Sequence, residues 1–197
     1  MSLTYKIMYS LGFTPWEHRE PPVPLADLIA GPQALPAGDM LDIGCGTGHD
    51  AIYCARRGWG VTGVDVVDRA LQIARRNASQ AGVDIRFVHA DIASAGAAAL
   101  GAGYALLLDV GCLHGLPDES LQRAAAAITE VAKPGATLLM LAFAPGRRGP
   151  APRGIDPARI PALFPQWELT STRPASGTTP GGAVRRAGPT WYRLTRH

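Results

Sequence analysis

The chain has few cysteines, little net charge and no long hydrophobic run. Its 197 residues carry a formal charge of +3. No apolar stretch reaches the roughly 20 residues that a membrane-spanning helix needs, and the first residues lack the hydrophobic region of a signal peptide. The three cysteines, Cys45, Cys54 and Cys112, have no metal-ligand spacing, which indicates reduced thiols. We therefore expect a cytoplasmic protein with no membrane partner and no bound metal.

The positive charge lies in late loops rather than on one dense basic face. Arginines occur at 147–148, 153 and 185–186, without the interleaved aromatic side chains that are typical of nucleic-acid-binding surfaces. A solvated basic surface is therefore the preferred interpretation, and we do not expect nucleic acid as a partner. RNA binding through these loops is the alternative.

Short apolar runs alternate with helix-prone segments after residue 38, which predicts an α/β fold. The runs are apolar almost throughout, as in a parallel sheet that is covered on both faces. The alternation predicts right-handed crossovers and a doubly wound sheet. Asp68 and Asp118 are expected to cap helices over 69–80 and 119–132. The predicted strands are 40–43, 60–64, 85–89, 104–108 and 136–142.

The two ends of the chain differ from this central pattern. Residues 1–38 are rich in aromatic residues and proline, and we expect them to form a lid that covers the substrate, whereas 39–197 form the main domain of a single-domain protein. Near the C-terminus, a short helix is expected over 156–164. Alternating apolar and polar residues over 167–172 and 190–195 predict two half-buried strands.

A glycine-rich turn after the first predicted strand carries the most specific signal. Residues 42–48 read Asp-Ile-Gly-Cys-Gly-Thr-Gly and precede a helix-prone segment. Glycines allow positive φ and remove the Cβ atoms that would hold a ligand away from the backbone. The helix behind them presents free N–H groups. The turn therefore predicts a nucleotide site.

The spacing of this turn disfavours a nicotinamide dinucleotide. The dinucleotide fingerprint requires glycine or alanine three positions after its second glycine, where this chain has His49. Asp42 at the strand end would repel a pyrophosphate, whereas it would attract a ligand with an ammonium group. Asp65 ends the second predicted strand, where a carboxylate can bind both hydroxyls of a ribose.

Residues 42–48 resemble motif I of the class I S-adenosylmethionine-dependent methyltransferases, in which glycines alternate after an acidic residue. The match is complete from Asp42 to Gly48, and the wider resemblance spans about 38–197. It implies a Rossmann-like, doubly wound sheet of seven strands, mostly parallel with a C-terminal antiparallel hairpin. It also implies S-adenosyl-L-methionine as cofactor and S-adenosyl-L-homocysteine as product.

The resemblance assigns donor-binding roles to residues at four strand ends. Asp42 would bind the methionine ammonium group, Asp65 the ribose hydroxyls, and Val66 one face of the adenine. Asp91 would accept a hydrogen bond from the adenine amino group, or alternatively cap a helix. Asp109 would face the cleft at the end of the fourth strand. The donor-binding set implied in this way is Asp42, Gly44, Cys45, Gly46, Gly48, Asp65, Val66, Asp91, Ile92 and Asp109.

The segment after the fourth strand supplies the catalytic candidates, His114 and Asp109. Methyl transfer from a sulfonium depends mainly on alignment, but a hydroxyl or amine acceptor can also need a base. An imidazole such as His114 can remove a proton at neutral pH, or it can order the loop. Phe13 and Trp16 are expected to contact the substrate together with His114. The alternative is that these aromatic residues pack outside the sheet.

Missing motifs narrow the acceptor. The chain lacks the Asn-Pro-Pro-Tyr of enzymes that methylate adenine amines or glutamine amides, and the Pro-Cys of cytosine-C5 enzymes. Its segments 13–17, 42–50 and 109–114 are similar to a bacterial small-molecule subgroup of thiopurine, thiol, tellurite-resistance and heterocyclic quinone or phenol methyltransferases. This implies a small, partly apolar acceptor with an O, S or N nucleophile. An RNA methyltransferase and a non-catalytic donor-binding module are the alternatives.

Overall fold

The computed structural model describes residues 20–146, 153–175 and 188–197. Seven strands and six α-helices are defined in this part of the chain. The strands are β1 Asp39–Ile43, β2 Gly60–Asp65, β3 Arg86–His89, β4 Tyr104–Val110, β5 Ala132–Ala142, β6 Trp167–Pro174 and β7 Thr190–Arg196. The helices are α1 Val23–Ala30, α2 His49–Ala55, α3 Asp68–Ala81, α4 Ala97–Leu100, α5 Asp118–Val131 and α6 Ile160–Leu163.

The strands form one sheet in the order β3-β2-β1-β4-β5-β7-β6. The first five strands pair in parallel, whereas β7 pairs antiparallel with both β5 and β6. This arrangement confirms the predicted doubly wound sheet with a C-terminal antiparallel hairpin. The strand order reverses at β1, where Ile43 lies beside Val64 of β2 and Asp109 of β4. Ligands of open α/β sheets bind at such a switch point.

Apolar residues cover both faces of the sheet, as the continuous apolar runs predict. Successive side chains of a strand point to opposite faces, so Met40 of β1 packs in one layer and Leu41 in the other. Leu106 and Leu107 of β4 divide in the same way. The sheet is therefore buried between two apolar layers, and a ligand can bind at its carboxyl edge.

Helix α1 lies within the segment that the sequence assigned to a lid. Its residues Leu25, Leu28 and Ile29 are buried in the same apolar layer as Met40. Pro24 is in its first turn, where the missing N–H removes no helical hydrogen bond. The sheet domain thus includes this helix. The covering role stays a prediction for the preceding residues, and Phe13 and Trp16 lie outside the described ranges.

The predicted helix caps are wrong. Val67 and Pro117 occupy the N-cap positions of α3 and α5, so Asp68 and Asp118 are the first helical residues. Asp68 accepts a hydrogen bond from the Gln72 side chain, and Asp118 pairs with an arginine outside its helix.

The helix predicted over 156–164 is shorter than expected. Asp156 caps a 3-10 turn by accepting the N–H of Ala158, and α6 begins only at Ile160. Across the described ranges, no helix has both the length and the apolar character that crossing a membrane requires.

Truncating Leu25 tests whether α1 belongs to the core. Leu25 is fully buried, whereas Val23 in the same helix is 61% exposed. Leu25→Ala should lower the free energy of unfolding by about 2–5 kcal/mol, because it leaves a cavity. Val23→Ala should change it by less than about 0.5 kcal/mol. Denaturant unfolding measures both values, and equal values for the two variants would mean that α1 is not part of the core.

Candidate active site

The glycine turn after β1 forms a cradle that admits no side chains at its glycines. Gly44, Gly46 and Gly48 have φ values of 70°, 52° and 81°, which side chains rarely adopt. A Cβ on Gly44 would also lie 2.7 Å from the Cβ of Cys112. The cradle therefore packs directly against the turn that follows β4, and Gly44 is its exposed glycine whereas Gly46 and Gly48 are buried.

Asp65 ties the cradle to the end of β2. Its Oδ2 accepts the N–H of Gly46 at 3.0 Å, and its Oδ1 accepts the N–H of Val67 at 2.8 Å. Burial raises the pKa of Asp65, and the N–H groups of Val67 and Gly46 partly offset this effect. The carboxylate is thus held at the strand end where the sequence predicts a ribose contact.

Asp42 has a buried carboxylate oxygen without a hydrogen-bond partner. The residue is 3% exposed, and its Oδ2 has no partner among the described residues. Burial raises the pKa of Asp42 well above its usual range, and the charges of Asp50, Asp65 and Asp109 raise it further. Because an unpaired buried carboxylate is unfavourable, this oxygen fits a ligand that brings a positive charge.

Asp109 holds the turn after β4 through one of its carboxylate oxygens. Its Oδ1 accepts the N–H groups of Cys112 at 2.8 Å and Leu113 at 3.1 Å. The residue is fully buried, and this burial raises its pKa to about 7. Its Oδ2 has no hydrogen-bond partner among the described residues, and the role of Asp109 at the cleft stays a prediction.

The end of β3 carries Asp91 and Ile92, which the sequence predicts to contact the adenine. Asp91 is exposed and its Oδ1 accepts the N–H of Ala93, whereas Ile92 is buried in the core. Helix α4 begins six residues after Asp91, so the alternative role as a helix cap is wrong and Asp91 stabilises a turn instead. Val66 is half-buried, and its carbonyl oxygen lies 3.0 Å from Nε2 of His89.

His114 lies between the ends of β4 and β5. Its Nδ1 accepts the N–H of Phe143 at 3.2 Å, and its ring stacks on that of Phe143 with 4.6 Å between the ring centres. The His114 carbonyl accepts the N–H of Gly154. These bonds order the loop, which is one of the two roles that the sequence leaves open.

Two residues near this edge were missed by sequence reasoning. Asp50 is buried in the first turn of α2, and burial raises its pKa to about 7. The sequence feature that could have indicated Asp50 is a carboxylate at the start of the helix that follows the glycine turn. Phe143 follows β5 directly, and only this position at a strand end could have indicated its contact with His114.

The residues at this edge fit S-adenosylmethionine. The carboxylates of Asp50, Asp65 and Asp109 each act electrostatically on that of Asp42, and such a cluster favours a cationic ligand. The glycine cradle allows the methionine part of S-adenosylmethionine to approach the backbone. Both features lie at the switch point of the sheet.

Comparisons with known proteins agree with this site. A family described as Methyltransferase domain matches residues 40–135. The chain is 30% identical over 185 residues to a 2-heptyl-1-hydroxyquinolin-4(1H)-one methyltransferase of Mycobacteroides abscessus, a match that covers 88% of the chain and 79% of the relative. It is 35% identical over 112 residues to a ubiquinone biosynthesis O-methyltransferase of Hahella chejuensis, covering 57% of the chain and 46% of that protein. The chain thus spans less than half the length of the second relative.

A solved structure supports the fold. The 1,6-didemethyltoxoflavin-N1-methyltransferase of Burkholderia thailandensis, with bound 1,6-didemethyltoxoflavin and S-adenosylhomocysteine, superposes with a TM-score of 0.74. The match covers 98% of the chain and 85% of that structure at 21% sequence identity. At this identity the likeness concerns the arrangement of strands and helices alone.

Replacing Asp65 tests the predicted ribose contact. Asp65→Ala should weaken binding of S-adenosylhomocysteine and 5′-methylthioadenosine by at least about tenfold, because both carry the ribose and each charge-assisted bond contributes about 1.5–3 kcal/mol. Titration calorimetry gives the affinities. Asp84→Ala is the matched control, since Asp84 is an exposed carboxylate near the opposite end of β3. Equal affinities in the two variants would remove Asp65 from the site.

Proposed function

Because the chain belongs to the class I S-adenosylmethionine-dependent methyltransferases of the small-molecule type, we propose that its acceptor is a small, partly apolar aromatic heterocycle with an ionised hydroxyl group. S-adenosyl-L-methionine is the methyl donor, and the enzyme is a transferase. The similarity to a hydroxyquinolone methyltransferase over 88% of the chain carries the proposal for the acceptor. The chain is also similar, over 57% of its length, to a ubiquinone biosynthesis O-methyltransferase. This similarity supports oxygen as the attacking atom. Sulfur and nitrogen nucleophiles are the alternatives.

We assign the donor to the carboxyl edge of β1, β2 and β3. The unpartnered Oδ2 of Asp42 would accept a hydrogen bond from the methionine ammonium group. Binding is favoured because a buried, unpaired oxygen gains a charge-assisted hydrogen bond. Asp65 would bind the ribose hydroxyls, and Val66 would pack on the adenine. Asp91 and the backbone of Ile92 would contact the polar edge of the base.

Methyl transfer requires little covalent chemistry from the protein. S-adenosylmethionine supplies an electrophilic methyl group on a cationic sulfur. The residues around the cradle hold the donor in one orientation, and the turn over 111–114 lies beside them. Alignment of two reactants can lower a barrier by up to roughly 7–11 kcal/mol. We place the acceptor above this turn, with Phe13 and Trp16 as its cover.

The alternatives considered from the sequence receive less support. The arginine pairs at 147–148 and 185–186, on which the RNA alternative depends, lie outside the described residues. Similarity to a named methyltransferase over most of the chain favours an enzyme over a non-catalytic module. All three cysteines are free, which supports the reducing cytoplasm as its location.

An acceptor screen tests the proposal. The purified protein is incubated with S-adenosylmethionine and, separately, a 1-hydroxyquinolin-4-one, a dihydroxylated quinol, an aromatic thiol and total RNA. Formation of S-adenosylhomocysteine and the mass of the product are measured. We expect the greatest turnover with a ring hydroxyl, and methylation at its oxygen. Methylation of RNA alone, or of the thiol alone, would contradict the proposed acceptor.

A further inference from the structure

Asp109 uses only one of its two carboxylate oxygens to hold the fold. Its Oδ1 accepts the N–H groups of Cys112 and Leu113, at 2.8 Å and 3.1 Å. Its Oδ2 is buried and has no hydrogen-bond partner in the described part of the chain. The side-chain oxygen of an asparagine could accept the same two N–H groups. Holding the turn therefore does not require the negative charge of this side chain.

The charge of Asp109 is unfavourable in the place where it lies. The side chain is fully buried, and the ion pairs of the described residues do not include it. Burial raises its pKa to about 7, although the N–H groups of Leu113 and Cys112 favour the ionised form. A buried carboxylate is unfavourable unless a positive charge lies near it. A cationic ligand at this edge of the sheet would supply that charge.

Strand β4 places Asp109 between the donor cradle and the end of β5. Asp109 pairs with Ile43 of β1 on one side and with Met140 of β5 on the other. Gly44, the first glycine of the cradle, follows Ile43 and packs against Cys112, whose N–H Asp109 accepts. The carboxylate therefore lies where the donor site on β1 to β3 meets the region in which we place the acceptor.

The other three carboxylates of the cluster lie on the donor side of β4. Asp42 is in β1, Asp50 in α2 and Asp65 at the end of β2. Asp42 and Asp65 are assigned to the ammonium group and the ribose, and the product keeps both. The product lacks the positive charge on sulfur, because the carbon–sulfur bond breaks and its electron pair stays on sulfur. Since the sulfonium bears the methyl group, it must face the acceptor, and Asp109 lies on that side.

We propose that Asp109 is a specificity-determining residue whose negative charge favours the cationic donor over the product, which has no charge on sulfur. The proposal rests on the proposed function. A sulfonium has no N–H or O–H to donate, so the carboxylate acts on it by charge alone and needs no direct contact. Two unit charges attract each other several times more strongly near a protein than in bulk water. Loss of this attraction after methyl transfer favours the replacement of the product by new donor.

Two asparagine substitutions separate this role from the contact to the ammonium group. Asp109→Asn removes the charge but keeps an oxygen for the N–H groups of Cys112 and Leu113. Asp42→Asn is the matched control, because the donor and the product both carry the ammonium group that Asp42 would bind. Each protein is titrated calorimetrically with S-adenosylmethionine and with S-adenosylhomocysteine, in the absence of any acceptor. The ratio of the two affinities measures the preference for the donor.

The proposal predicts that only Asp109→Asn changes the preference for the donor. At about pH 8, this variant should lower the affinity ratio by roughly tenfold, with little change for S-adenosylhomocysteine. Asp42→Asn should weaken both ligands and leave their ratio unchanged. A ratio that Asp109→Asn leaves as it is in the wild type, or that Asp42→Asn lowers as much, would overturn the proposal. Failure of the wild type to bind either ligand would instead contradict the proposed function.

A second measurement does not require that the variant folds. A carboxyl group with a pKa of about 7 is mostly protonated below this pH and ionised above it, so the wild-type preference for the donor should rise between about pH 6 and about pH 8. The other titratable groups at this edge are Asp42, Cys45, His49, Asp50, Asp65, His89, Asp91, Cys112 and His114. A preference that does not vary with pH in the wild type, or that varies as much in Asp109→Asn, would overturn the proposal.

Discussion

The proposed donor site depends on one carboxylate oxygen of Asp42 that has no hydrogen-bond partner in the described part of the chain. Burial and three neighbouring carboxylates raise its pKa, so the ionised form is less favourable in the folded chain than in the unfolded one. A bound cation offsets this penalty, which couples donor binding to the stability of the strand ends. S-adenosylmethionine carries two positive charges, on the ammonium and the sulfonium, and is therefore matched to this edge.

The donor and acceptor regions are joined by one close contact. Gly44 of the cradle packs against Cys112, whose N–H is held by the buried carboxylate of Asp109. His114 follows in the same turn and is fixed by Phe143 at the end of β5. The cradle and His114 are thus connected through the turn over 111–114. The fold places these segments side by side because β1, β4 and β5 are neighbours in the sheet.

Much of this architecture follows from local sequence, whereas the errors come from distant contacts. The strands and the turn over 42–48 are predictable because glycine and apolar runs act within a few residues. The structural role of Asp118 is not predictable in this way, because its carboxylate pairs with Arg159, 41 residues away. The hydrogen bond from the Phe143 N–H to His114 likewise joins residues 29 positions apart. Sequence patterns do not show such pairs.

Donor binding by an Asp42→Asn variant tests the central claim most directly. The backbone N–H of Ala51 hydrogen-bonds to Asp42 and lowers its pKa. Asparagine keeps an oxygen that can accept this N–H, but it lacks the negative charge. Calorimetry should show binding of S-adenosylhomocysteine weakened by roughly tenfold or more, the loss of one charge-assisted bond. Binding of 5′-methylthioadenosine, which has no ammonium group, should be unchanged. Equal effects on the two ligands, or none on either, would contradict the assignment of Asp42 to the methionine ammonium.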